Sequence, residues 1–405
     1  MLAKYNSMVT TFEEILGKSS IFSNLTVLSP HYVPDTILFR ESQLGDMMAT
    51  LAPALKGQKP RNLLLYGKNG TGKTASIKYV MNQFNRMAQK AGSTTEMVYL
   101  NCRIDDSRYR ILQKLMKPHF QELEKSGYGI SYIYDKLIER MSKGAHIVLA
   151  LDELDMVKDL SDLVCMFTRC NDEVKAGSLT LVGISNRLSF KNALDQRSRS
   201  SLYENEVIFP PYDASQLKNI LSQRAEQGFE KDTVSDAALS LISAITANEN
   251  GDARYALKLL VKAGDVAQSQ GAPRVDEKHV NDARNLVEYD FAAEGISTLP
   301  MNHQIVLYTI AKMTLLNKQK LTEGDDSYLF SGDVYDQYTK IAKRMGNSPK
   351  SARWYREYIN ELEALGLIST VFTSKGIRGH TRLIKAGHNP ADIINIVEKR
   401  VGMRA

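Results

Sequence analysis

Three cysteines in 405 residues, Cys102, Cys165 and Cys170, form no C-x-x-C pair. Their scarcity and spacing exclude a disulfide framework and a cysteine-based zinc site, and suit a reducing cytoplasm. The seven histidines are scattered without metal-ligand spacing, which leaves no histidine metal centre to propose. No secretory signal is recognisable and no apolar run is long enough to cross a bilayer, so no membrane partner is expected. What is present is ordinary for a globular protein: 43% apolar and 24% charged residues, in a chain long enough for two or three domains.

Charge is unevenly placed. Residues 301–405 hold 16 Lys+Arg against 10 Asp+Glu, whereas residues 1–300 hold 36 of each, so the whole net charge of +6 lies in the last quarter. A basic terminal segment beside a neutral body points to a polyanionic partner.

The strongest local signal is Gly67-Lys68-Asn69-Gly70-Thr71-Gly72-Lys73-Thr74, directly after the apolar run 62–66. It is a complete G-x-x-x-x-G-K-[ST] loop in a strand–loop–helix setting. Its glycines permit backbone geometry that lets N–H groups point at phosphate oxygens, helped by the N-terminus of the helix that follows. Lys73 is expected to reach the β- and γ-phosphates and the Thr74 hydroxyl to ligate Mg2+, with Ala75 beside them.

Further strand-like runs occur at 96–102, 146–151, 179–185 and 206–209, separated by helical stretches, which predicts a parallel sheet covered on both faces. The run at 146–151 ends in Asp152-Glu153. At that position Asp152 would hold Mg2+ through water and Glu153 would polarise the water that attacks the γ-phosphate. The next run ends in Ser185-Asn186, a polar tip beside the metal strand. Farther on, Gly251-Asp252-Ala253-Arg254 opens an amphipathic helix whose first turn carries Arg254, placed to swing onto the γ-phosphate when a lid closes.

In this order the motifs resemble those of the AAA+ ATPases over about residues 20–290. The segments Ser29-Pro30-His31-Tyr32-Val33-Pro34 and Phe39-Arg40-Glu41 resemble the adenine-pocket segment of the archaeal origin-recognition and cell-division-control initiator family. The resemblance implies ATP or ADP as ligand, with Tyr32, Val33, Arg40 and Tyr212 completing the nucleotide set. It implies an α/β fold: an AAA+ P-loop ATPase with a parallel five-stranded sheet, an α-helical lid and a C-terminal winged-helix domain. The corresponding spans are 1–213, 214–295 and 296–405. The stretch 163–171 resembles the family's helical insertion, which makes Arg169 a DNA-contact candidate. One position departs: Ser201 stands where the family's arginine finger is usually read, with Arg197 and Arg199 nearby as substitutes. Slow turnover as a nucleotide switch is the expectation.

The basic segment itself reads as a winged helix. Helices are expected over about 301–317 and after Ser331, the second burying Val334, Tyr338, Ile341, Ala342 and Met345. A third is expected to be capped by Ser348 with Pro349 in its first turn and Ala352, Tyr355, Ile359 and Leu362 facing the core. Lys350, Arg353 and Arg356 lie near its start, where a recognition helix meets the major groove. Two short strands around residues 373–382 then form a wing bearing Lys375, Arg378 and Arg382, slim enough for a minor groove. Together with the family resemblance, this reading expects a cytoplasmic, nucleoid-associated initiator that binds origin duplex DNA. Its expected partners are the replicative helicase and other initiator paralogues. A signalling or transcription-regulating ATPase, or a loader acting mainly through protein contacts, remains open at this point.

Overall fold

The computed structural model describes residues 20–124, 127–318, 328–372 and 382–401, which form two compact units, 1–280 and 281–405. The first is built on a parallel sheet of β1 (Asn62–Tyr66), β2 (Glu96–Asn101), β3 (His146–Asp152), β4 (Ser178–Ser185) and β5 (Glu204–Ile208). Their spatial order is β2-β3-β4-β1-β5, and every pairing is parallel. β3 and β4 are buried along their whole length, which is why they read as near-continuous apolar runs.

Alternation along β1 divides the core. Leu63 and Leu65 face one layer, under α1 (Glu41–Leu55) and α2 (Lys73–Lys90). Leu64 and Tyr66 face the other. That second layer contains α3 (Arg108–Met116), α4 (Ile130–Ser142) and α5 (Leu160–Arg169). Because the strands are parallel, their C-terminal ends lie together, and the loop after β1 meets the acidic tip of β3 at one edge.

α5 requires a correction. It is the single crossover between β3 and β4, burying Leu163, Val164 and Phe167 in the core, and is not an added insertion. The connection carrying more than one helix is β2 to β3, with α3 and α4.

A short helix, α6 (Gln196–Leu202), precedes β5. Beyond β5, α7 (Ala214–Gly228), α8 (Asp236–Glu249) and α9 (Ala253–Ser269) form a helical lid. Asp213 caps α7 in a capping box with Gln216, and Asp252 caps α9 by accepting from the N–H groups of Arg254 and Tyr255. α10 spans Glu277–Thr298.

The second unit has α11 (Met301–Lys318), α12 (Ser331–Arg344), α13 (Ala352–Ala364) and α14 (Pro390–Val401). Its antiparallel sheet runs β6 (Leu329–Phe330), β8 (Arg382–Ala386), β7 (Ile368–Phe372). This is the expected winged helix with two changes. α13 begins at Ala352 with Ser351 in the cap position, not at Ser348-Pro349. Lys350 explains the delay: its N–H donates to the Tyr338 hydroxyl and its carbonyl accepts from Tyr335, holding 347–351 out of the helix. Tyr358 then takes the buried position expected of Ala352, which is exposed.

Candidate functional site

A cavity of about 350 Å3 opens at the C-terminal ends of β1, β2, β3 and β4 and is roofed by the lid. The phosphate loop forms its floor. Gly70 and Gly72 adopt φ of +68° and +92°. A Cβ on Gly70 would strike the Asp252 carboxylate at 1.6 Å, and one on Gly72 would meet the Tyr212 hydroxyl at 2.6 Å. Close approach of the lid therefore requires these two glycines.

Lys73 is buried, and its Nζ donates to the carbonyls of Gly67 at 2.8 Å and Lys68 at 2.7 Å. Desolvation lowers its pKa to about 8, partly opposed by Asp152. The loop thus concentrates positive charge where a phosphate would sit. The side chains of Lys68 and Asn69 are exposed, and neither they nor Gly67 and Thr71 line the cavity. In such a loop they serve through backbone, and the Thr71 hydroxyl ties itself to the Lys68 carbonyl at 2.9 Å.

Asp152 is buried beside Thr74. Its Oδ2 accepts from the Thr74 hydroxyl at 2.7 Å and from the Tyr99 hydroxyl at 2.8 Å, while Oδ1 accepts from the Glu153 N–H at 2.9 Å. One carboxylate and one hydroxyl are hard oxygen donors of the kind Mg2+ takes alongside water and phosphate oxygens. They fit that ion. Among the described residues no cluster of three His, Cys, Asp or Glu offers an all-protein metal cage. Tyr99 escaped the sequence reading because it sits mid-strand in β2, and only the pairing of β2 with β3 brings it to Asp152. Tyr99→Phe is expected to raise the Mg2+ concentration needed for half-maximal nucleotide-dependent metal binding several-fold, leaving metal-free nucleotide affinity unchanged. Mn2+ titration followed by electron paramagnetic resonance checks this; identical isotherms would remove Tyr99 from the metal's support.

Glu153 adopts φ +54°, and its Oε2 is buried facing Arg103 Nε at 3.2 Å, an ion pair without hydrogen-bond alignment. Arg103 comes from the turn after β2 and also lines the cavity. Asn186 and Arg254 are exposed and lie on the cavity wall.

Tyr32, Val33 and Ile37, with Ile220 and Leu257 of the lid, give the cavity an apolar lining that suits a base. Arg224, unnoticed in the sequence, joins the two sides: from α7 it donates to the carbonyls of Val27 and Tyr32 and lies over the Tyr32 ring. Arg40 is reassigned. It does not line the cavity but is buried behind the loop, donating to the carbonyls of Phe39, Thr71 and Pro210, with its guanidinium 3.8 Å from the Tyr212 ring centre. Its part is to position the loop, while Tyr212 itself lines the cavity.

Chain comparison identifies the architecture. Three family models match: AAA domain over 55–189, Cdc6 AAA+ ATPase-type lid domain over 218–285, and CDC6 C-terminal winged helix domain over 294–396. The ORC1-type DNA replication protein of Pyrococcus abyssi is 38% identical over 393 residues, 95% of this chain and 92% of that one. The chain belongs to the ORC1/Cdc6 family of replication proteins. The ORC1-type DNA replication protein 1 of Archaeoglobus fulgidus is 37% identical, covering 92% of this chain and 90% of its own. Among solved structures, the Aeropyrum pernix ORC1 protein in complex with DNA matches with a TM-score of 0.74 and 34% identity, over 94% of this chain and 98% of that one. As an ORC1/Cdc6 protein the chain is an AAA+ ATPase of the replication-initiation class. No helix among its described residues is long and apolar enough to cross a membrane.

In this family member's second unit, Lys350, Arg353 and Arg356 are exposed around the start of α13. Lys375 and Arg378 lie outside the described residues. Arg382 is reassigned from DNA contact to structure: it donates to Thr370 Oγ1 at 2.9 Å, Asn360 Oδ1 at 2.6 Å and Glu363 Oε2, and sits over the Phe372 ring. The Thr370 hydroxyl, together with Arg382, holds the Glu363 carboxyl below its usual range. Arg169 is exposed at the C-terminal end of α5.

Proposed function

We propose that this ORC1/Cdc6 protein is an ATP-dependent initiator that binds origin duplex DNA through its winged helix, and that it helps recruit or load the replicative helicase. The observation that carries the DNA reading is the charge layout of α13: Lys350, Arg353 and Arg356 crowd its start, while Glu357, Glu361 and Glu363 follow. A duplex would therefore meet the N-terminal half of this helix, as recognition helices do. The Aeropyrum relative's complex with DNA supports a DNA partner, and kinship alone supports helicase and paralogue partners. Association with the nucleoid follows from the same reading.

Nucleotide would act as a slow switch. Ser201 occupies the finger position and is tied down, accepting from the Thr168 hydroxyl and donating to the Ser198 carbonyl. Arg199 is exposed but donates to the Lys191 carbonyl. Glu153, the group proposed to activate water, is paired with Arg103.

Duplex binding measured over a salt series tests the assignment. The logarithm of affinity should fall linearly with that of salt, and the Arg353→Glu, Arg356→Glu double variant should flatten the slope by roughly two phosphate contacts. Mapping bound chromosomal DNA then separates origins from promoters. A salt-independent affinity, or sites scattered over promoters, would refute the initiator reading.

A further inference from the structure

Trp354 is the chain's single tryptophan, and it is 59% exposed on the second residue position of α13 beyond Ala352. Lone exposed apolar residues are common and call for no explanation. This one is different because of its neighbours. Successive helical residues are about 100° apart, so Arg353 points directly away from the buried Tyr355, Ile359 and Leu362, with Trp354 and Arg356 on its two flanks. All three are exposed. One side of the indole leans on Tyr358, ring centres 6.5 Å apart and tilted by 31°, which anchors it with the other side outward. An aromatic on the same exposed side as Arg353 and Arg356, with Glu357 as its acidic neighbour one turn on, suits a surface that is anionic at its rim and apolar at points on its floor. The major groove is such a surface: phosphates line it, and each thymine presents a C5-methyl group there.

We propose that Trp354 packs against thymine methyl groups in the major groove and is a specificity-determining residue for the duplex, rather than part of a protein-docking face. The proposal rests on the DNA reading given above and adds the chemistry of base choice. Lys350, Arg353 and Arg356 supply sequence-independent attraction to phosphates, and the indole supplies preference for thymine at the bases it covers.

The test uses the full wild-type chain, whose fluorescence reports Trp354 alone when excited at the red edge, where its tyrosines do not absorb. It is titrated with a thymine-containing duplex and with the same duplex carrying deoxyuridine at every thymine. The thymine duplex should shield the indole from iodide, and it should bind about fourfold more tightly for each methyl covered, the value of one buried methyl-sized group. Trp354→Ala, at an exposed position that leaves the core untouched, should bind both duplexes equally while keeping its salt dependence. If the indole is shielded but thymine and uracil duplexes bind alike, methyl readout is wrong. If the duplex binds and iodide still quenches fully, Trp354 lies outside the interface and belongs to another partner's surface; the proposal falls and the DNA reading stands. If no duplex binds at moderate salt, the DNA reading itself fails and the proposal with it.

Discussion

Lys73→Ala should abolish ATP and ADP binding, with affinity lower on the order of 10²–10³-fold, while the winged helix stays folded. The magnitude follows from what the ammonium does. Buried and held by the carbonyls of Gly67 and Lys68, it is a cation poised for two charge-assisted hydrogen bonds to phosphate oxygens. Alanine leaves the loop's N–H groups in place, so some weak binding through backbone can survive, but not at micromolar nucleotide. The pH dependence is a second handle. Burial brings Lys73 down to about 8 from its ordinary 10.5. Only the charged form attracts phosphate, so affinity should fall roughly tenfold per pH unit above 8, until the bound complex itself titrates. For folding the sign is opposite. The unfolded chain holds this proton up to higher pH, so the cost of burying the charge is full below pH 8 and fades between 8 and 10.5. Isothermal titration calorimetry across pH 7–10 checks the binding and denaturant unfolding over the same range checks the stability; an alanine variant that still binds ATP tightly would remove Lys73 from the phosphate site.

Much of the fold was legible because its signals are local. The apolar runs at 62–66 and 146–151 are strands buried on both faces, as a covered parallel sheet makes them. Lys73, Thr74, Asp152 and Glu153 were legible for the same reason, each standing at a fixed offset from a strand end. What escaped depends on which strand lies beside which. Tyr99 meets Asp152 only through the β2–β3 pairing, and Arg103 reaches Glu153 only because the next turn bends toward that edge. Arg224 acts from a lid helix on a segment nearly two hundred residues earlier. Cations were misread in a consistent way. Arg40 and Arg382 look like ligand contacts in a sequence, yet each has its guanidinium engaged by neighbouring groups of the fold. Charge alone cannot distinguish an arginine that waits for a partner from one that already has three.

Glu153→Gln should leave ATP binding within about twofold and reduce single-turnover hydrolysis by roughly 10²–10⁴-fold, the range for loss of a general base. Glutamine keeps the shape of the side chain and removes only the ability to take a proton. Its backbone at φ +54° and the bond from its N–H to Asp152 are unaffected, so a binding defect is not expected. Arg103 gives the prediction an opposite arm. Its guanidinium faces the same carboxylate at 3.2 Å from the cavity wall, while its own side chain is 72% exposed. Truncating Arg103 to alanine should free the carboxylate and raise hydrolysis several-fold. The two changes act through one group, so their effects cannot add: the Arg103→Ala, Glu153→Gln double variant should be as slow as Glu153→Gln alone. Quench-flow with radiolabelled ATP separates the cases. Full turnover in Glu153→Gln would mean that another group activates water. A double variant faster than Glu153→Gln would mean that Arg103 restrains hydrolysis by a route that bypasses this carboxylate.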